Sequence, residues 1–335
     1  MHPARIHLAR LPTPLEPMDR LSAQLGGPRL WIKRDDLTES GASGNKIRKL
    51  EYCFAEAKAQ GCNQIITCGG LQSNHCRATA LLGARLGFKV VLVLRGEPEG
   101  AAQGNLLLDT VAGAEIRTYP IKQYQHSLDQ LLSQAKQDGV RAGYTPYVIP
   151  TGASDEVGVW GYVAASAELV QDFATADINP DALVVATGSG GTQAGLTAGL
   201  PMAGSSLPVW GFAVCDDAAW FRDKVRSDLQ AWQKRYRVDL DIDALRINVD
   251  DRYIGPGYAR ATPAVFETIA LVARTEGLVL DPVYTGKAFH GLLQECREGR
   301  FKQAANVVFV HTGGSYGLMA QSVETAAALS GSVTV

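Results

Sequence analysis

Apolar and polar positions along this chain alternate between two periods. Short β-rich apolar runs are separated by segments with apolar residues three to four apart, the pattern of an α/β protein with parallel sheets. Leu30 to Lys33 reads as a short strand ending in the charged turn Arg34-Asp35-Asp36. A helix is expected from about Asn45, with Ile47, Leu50 and Phe54 on one face. Four strand candidates follow with helical segments between them: Gln64–Thr67, Lys89–Leu94, Glu115–Tyr119 and Tyr147–Ile149. The helix Asn74 to Leu86 has Ser73 placed as its N-cap. A second series opens near Gly161 with a helix through Leu169. The strand Ala182–Ala186 then runs into a glycine loop, and a helix begins at Thr192. Val209–Val214 and Val307–Val310 are further strand runs, and Ala218 to Asp243 reads as a solvated helix with its connection. The expected fold is two doubly wound open sheets, with active groups at the carboxyl ends of strands and in the cleft between domains.

Composition narrows the class. The 335 residues suffice for two domains of roughly 150 residues each. A formal net charge of −2 gives no electrostatic footprint for nucleic acid or an anionic membrane. No uncharged apolar run approaches the ~18 residues of a membrane span. The six cysteines form no Cys-x-x-Cys pair and have no histidines at zinc-site spacing, so free thiols, a reducing compartment and no metal are expected. Arg5 and Arg10 near the start resemble a transit peptide only faintly, because Pro12 and Pro14 interrupt the segment, and the cytoplasm is the expected location.

The chemistry concentrates in a few segments. Lys46 lies behind a small-residue turn, Ser43-Gly44-Asn45, at the start of an apolar-periodic helix. Downstream, Gly188-Ser189-Gly190-Gly191-Thr192 follows a buried strand and opens a helix, an arrangement that offers backbone N–H groups and hydroxyls to a phosphate. An amine and a phosphate cradle are what pyridoxal phosphate (PLP) requires. The loop is neither a Walker A, since no lysine follows it, nor a full dinucleotide fingerprint, since Gln193 occupies the third glycine position. Asp216 at the end of the next strand keeps a nicotinamide enzyme open as an alternative. Gln72-Ser73-Asn74-His75 also follows a strand; helix capping explains Ser73 and Asn74 without a ligand, while a substrate carboxylate would suit the same donors. Tyr284 sits in Asp281-Pro282-Val283-Tyr284-Thr285-Gly286-Lys287, which reads as a turn between strand and helix. Tyr258 and the run His311-Thr312-Gly313-Gly314 are each compatible with plain packing or a bare turn.

The order of these motifs, from Leu11-Pro12-Thr13-Pro14-Leu15 and Lys33-Arg34-Asp35-Asp36 through the Lys46 segment to His311-Thr312-Gly313-Gly314, resembles the D-cysteine desulfhydrase/1-aminocyclopropane-1-carboxylate (ACC) deaminase family of PLP enzymes, of the tryptophan-synthase-β fold. The resemblance spans nearly the whole chain. It implies a large PLP-binding domain, residues 1–48 and 161–335, with a smaller domain, 49–160, inserted in it, and a homodimer acting on a small amino acid. It makes Lys46 the Schiff-base lysine and puts Lys46, Ser73, Tyr258 and Tyr284 in the catalytic set. Asn74 would bond the cofactor's phenolic oxygen, Gly188 to Thr192 its phosphate, and Thr312 would face its pyridine nitrogen. Ser73, Asn74 and His75 would bind the substrate carboxylate, with Tyr258 and Tyr284 on the reacting side. ACC deaminases of the family carry glutamate where this chain has Thr285 and leucine where it has Thr312. A hydroxyl is a poorer partner than a carboxylate for a pyridinium, which favours elimination of a good leaving group and hence D-cysteine as substrate, with ACC and L-cysteate as the alternatives. The chain departs from many relatives at Ser43 and at Ser315-Tyr316, and Tyr316 is expected to shape the substrate side of the pocket.

Overall fold

The computed structural model describes residues 3–330. Among these residues ten strands form two sheets. The larger has the order β1 (Leu15–Pro17), β2 (Arg29–Lys33), β10 (Asn306–Val310), β7 (Ala182–Thr187), β8 (Val209–Ala213) and β9 (Asn248–Asp250). The smaller has the order β5 (Glu115–Tyr119), β4 (Lys89–Arg95), β3 (Gln64–Gly70) and β6 (Pro146–Val148), all within residues 49–160. Every pairing is parallel except that of edge strand β1 with β2.

The central strands read as unbroken apolar runs because both their faces are covered. On β7, Leu183 and Val185 face a core with Tyr162, Leu169 and Phe173 of the helix Trp160–Thr175. Ala182, Val184 and Ala186 face the opposite core, with Phe212, Phe289 and Phe309. The smaller sheet repeats the division: Ile66, Cys68, Val91 and Val93 meet Tyr124 and Ala135 on one side, while Val90, Leu92 and Leu94 meet Cys76 and Ala80 on the other.

Several boundaries differ from the sequence reading. β3 runs through Gly69 and Gly70, which pair with Leu94 and Arg95 of β4. The helix after the glycine loop starts at Gly191 and the one before it at Trp160. No strand precedes Asp281: Leu278 and Leu280 are buried in irregular backbone. The helix Ala218–Tyr236 is not merely solvated, since Phe221, Val225, Leu229 and Trp232 recur at helical spacing and are fully buried.

Two features fix the scaffold around the cleft. Arg48 is buried among acids, with Nη2 2.8 Å from Asp35 and 2.9 Å from Glu168. Thr13 and Tyr162 donate to the same Asp35 carboxylate at 2.8 and 2.5 Å. Burial alone would raise the Glu168 carboxyl, but Arg48 and Lys33 together pull it down to about 2. The network ties the helix Lys46–Ala59 to the helix Trp160–Thr175 and to the end of β2. The second feature is a small-residue face on the helix Gly191–Met202. A Cβ at Gly195 would stand 2.5 Å from Tyr162 Cβ and 2.7 Å from the Val159 carbonyl oxygen.

Because that contact involves backbone, neighbouring atoms have no easy way to move aside. Gly195→Ala is expected to lower stability by about 1–3 kcal/mol, read as a lower urea midpoint with an unchanged slope. An unchanged midpoint would show that the two helices separate at little cost.

Candidate active site

A cavity of about 590 Å³ opens at the carboxyl ends of β3, β4, β7, β8 and β10, where open α/β sheets bind ligands. Lys46 lies on its wall as the first residue of its helix. The turn before it is pinned at both sides. Gly44 adopts φ +105°, and a Cβ there would stand 2.6 Å from the Thr312 carbonyl oxygen. That oxygen accepts from the Asn45 N–H at 3.1 Å, and Asn45 Nδ2 donates to Thr192 Oγ1 at 2.9 Å. The Lys46 amine has no hydrogen-bond partner among the described residues. Burial lowers it from the ordinary lysine value to about 8, so the neutral amine is accessible near neutral pH.

Across the cavity, Gly188, Ser189, Gly190 and Thr192 are also on the wall. Gly191 is not, and its N–H already donates to Ser154 Oγ at 3.2 Å. Ser154 is a hub: its hydroxyl also lies 2.8 Å from Ser189 Oγ and accepts from Lys49 Nζ at 3.0 Å. Lys49 is fully buried and donates to the Gly152 carbonyl at 2.6 Å. Burial, then the neighbouring Lys46, hold its ammonium well below the usual range. A Cβ at Gly152 would fall 2.4 Å from Ser189 Oγ and 3.2 Å from Lys46 Nζ, so the amine and the loop flank the same glycine.

Ser73, Asn74 and His75 form another side of the wall. Ser73 Oγ caps its helix by accepting from the Cys76 N–H at 3.2 Å. Asn74 Oδ1 accepts from Arg77 Nη1 at 3.3 Å and from Asn105 Nδ2 at 3.1 Å, which leaves Asn74 Nδ2 uncommitted. Thr67 gives its hydroxyl proton to the Ile149 carbonyl at 2.8 Å, so at the 2.8 Å contact with His75 it must accept from Nε2–H. The His75 Nδ1 is then a bare acceptor, buried without a partner. Burial, followed by Lys46 and Lys49, keeps the imidazole neutral.

Tyr258 and Tyr284 complete the set, their hydroxyls 2.5 Å apart and their rings edge to face. Burial raises Tyr258 to about 12 and Tyr284 well above its ordinary value, so both phenols are protonated at neutral pH. Thr312 lines the cavity, but Thr285 does not. The Thr285 hydroxyl and N–H both donate to Asp281, at 2.7 and 2.8 Å, a local cap that consumes the group expected to select substrate. Tyr316 is likewise away from the wall. It stacks over Arg77 and donates to the Ser40 carbonyl at 3.1 Å.

The model of the family described as pyridoxal-phosphate dependent enzymes matches residues 6–313. The chain belongs to that family. It is 42% identical over 319 residues to a Thermotoga maritima protein provisionally named 1-aminocyclopropane-1-carboxylate deaminase, covering 95% of this chain and 98% of that one. It is 38% identical to the Arabidopsis thaliana mitochondrial bifunctional D-cysteine desulfhydrase/1-aminocyclopropane-1-carboxylate deaminase, over 93% of this chain and 78% of the other. A crystal structure of an ACC deaminase homologue superposes with a TM-score of 0.89 at 36% identity, covering 98% of this chain and 97% of that one. This PLP-dependent lyase thus has the fold type expected from its motifs.

The cavity fits the cofactor. It presents an unbonded amine at Lys46 and a loop whose Gly188 would drive a Cβ to 2.8 Å from the Tyr284 ring. Thr192 Oγ1 accepts from Asn45 and keeps its own proton to give, and Asn74 has a free amide donor. Sequence reasoning gave no role to Lys49, Ser154 or Arg95. Lys49 alone had a visible signal, lying one helical turn from Lys46.

If burial sets the Lys46 amine, the rate at which cofactor-free protein captures PLP should rise with pH through about 8 and then level, because the neutral amine is the reactive form. Absorbance at rapid mixing reports it. A midpoint near 10.5, the ordinary lysine value, would contradict the assignment.

Proposed function

We propose that this protein is a D-cysteine desulfhydrase, converting D-cysteine to pyruvate, ammonia and hydrogen sulfide. One observation carries the reading: a single cavity holds an amine near its neutral form at Lys46 and, elsewhere on its wall, the two protonated phenols of Tyr258 and Tyr284. These are a base for Cα and a proton source for departing sulfur.

Bound here, PLP supplies an aldehyde and an electron-withdrawing ring that spreads charge developing at the substrate's Cα. Lys46 is the residue that bonds it, and Gly188, Ser189, Gly190 and Thr192 are the groups for its phosphate. Gly191 supports that loop through Ser154. Asn74 offers its amide N–H to the phenolic oxygen, and Thr312 is the residue for the ring nitrogen. Ser73 and Asn74 offer side-chain donors to the substrate carboxylate, whereas the ring of His75, expected from the sequence to share that task, has its one N–H on Thr67 and only a lone pair at Nδ1, so it leaves the carboxylate to its neighbours. Lys46, once free, accepts the Cα proton, and Tyr258, whose hydroxyl is paired with that of Tyr284, gives its phenolic proton to the sulfur as it leaves.

Thr312 is a hydroxyl, and the nearby Asp281 is fully committed to the N–H groups of Val283, Tyr284 and Thr285. No free carboxylate of that segment remains for the ring, which suits loss of a good leaving group better than opening of a cyclopropane. Relatives are named for both activities, which keeps ACC as a second reading. We take residues 1–48 and 161–335 as the large domain and 49–160 as the small one, with the free thiols suiting the cytoplasm and a homodimer as the assembly the family resemblance implies.

A screen of pyruvate release over D-cysteine, L-cysteine, β-chloro-D-alanine, D-serine, L-cysteate and ACC tests the assignment. D-Cysteine is expected to be turned over most efficiently, and pyruvate from ACC but none from D-cysteine overturns the reading. Lys46→Ala should lose both the yellow colour and turnover. Tyr258→Phe should keep the colour and lose roughly 10²–10⁴-fold in kcat; full activity in that variant would remove the phenol from the mechanism.

A further inference from the structure

Arg95 ends β4 at the cavity wall. Its guanidinium carbon lies 4.9 Å from the Tyr258 ring centroid and 5.9 Å from that of Tyr124. Among the described residues its side chain makes no hydrogen bond and no ion pair. Apart from Lys46, assigned above to the cofactor, the lysines near the cavity are committed: Lys224 to Asp228 and the Ser154 carbonyl, Lys49 to Gly152 and Ser154, and Lys287 to the carbonyls of Ile254 and Gly257. Asp216 shares the wall with Arg95 but forms no ion pair with it.

A guanidinium carries five N–H donors in a planar fork suited to anionic oxygen and sulfur groups. Aromatic faces hold its plane without using those donors. An arginine stacked on the phenol assigned to the leaving group, with no acceptor of its own, is a cation awaiting an anion. We propose that Arg95, backed by Tyr258, forms a subsite for a negatively charged sulfur group on the substrate's β-carbon, either a thiolate or a sulfonate. This rests on the reading of the cavity as the amino-acid site. When the carbon–sulfur bond breaks, the sulfur keeps the electron pair: a thiolate takes the Tyr258 proton as it departs and leaves as hydrosulfide, a sulfonate leaves as sulfite, and Arg95 offsets the negative charge that remains on the anion or on the Tyr258 oxygen.

The test is titration of holoenzyme with D-cysteate and with D-alanine, read in the initial change of cofactor absorbance. The wild type should bind D-cysteate at least tenfold more tightly than D-alanine. Arg95→Gln should erase that preference while leaving D-alanine affinity within twofold, and Arg95→Lys should restore part of it. Equal weakening of both ligands in Arg95→Gln, or no preference in the wild type, overturns the subsite. Should Arg95→Gln fail to retain cofactor, Arg95→Lys decides alone, because losing the planar fork must reduce the preference, and an undiminished preference overturns the proposal. Sulfide release from D-cysteine against sulfite release from cysteate distinguishes the two anions. Wild-type turnover of ACC without turnover of D-cysteine would defeat the desulfhydrase reading while leaving the anion preference measurable in its own right.

Discussion

The active cavity depends on one backbone contact, the approach of Gly44 to the Thr312 carbonyl. At φ +105° and with no room for a Cβ, only glycine fits there. The same carbonyl receives the Asn45 N–H, so the turn before Lys46 is hydrogen-bonded to the end of β10. Residues far apart in sequence are thereby brought to one strand end. Arg48, two residues into the helix, is held from the other side by Asp35 and Glu168. Between these two anchors the Lys46 side chain has little choice of direction.

Electrostatically the cavity is a set of bases held down together. Lys46, Lys49 and His75 are depressed first by burial, while Lys46 disfavours charge on the other two. A phosphate placed beside them would reverse the balance, since an adjacent anion favours the charged amine that burial disfavours. A phosphate bound there would favour proton uptake at Lys49. The two phenols at Tyr258 and Tyr284 stay protonated because burial disfavours the phenolate.

Most of the fold was legible because its central strands are covered on both faces, so their apolar runs are continuous and easily placed, though not their ends. Gly69 and Gly70 escaped because glycine signals a turn locally, whereas pairing with Leu94 and Arg95 keeps them extended. Leu278 and Leu280 misled in the opposite direction, being buried without a partner strand. In the site, the glycine loop, Lys46 and the Ser73–His75 run announced themselves through local turn chemistry. Lys49 and Ser154 did not, because their roles arise from contacts 105 residues apart in the chain. Arg95 was silent for a related reason: an arginine at a strand end looks solvated until the absence of any acceptor around it is seen. Thr285 was visible, but Asp281 claims its hydroxyl.

Arg77 has only hydrogens to offer, and it holds Asn74 by the amide oxygen with help from Asn105. The carboxamide consequently cannot rotate by half a turn without setting its own NH₂ against a guanidinium. Hydrogen-bond polarity at that spot is thus locked in one sense. Molecules presenting a lone pair are welcomed there, and isosteres presenting a hydrogen, such as an amine in place of a phenolate, are refused.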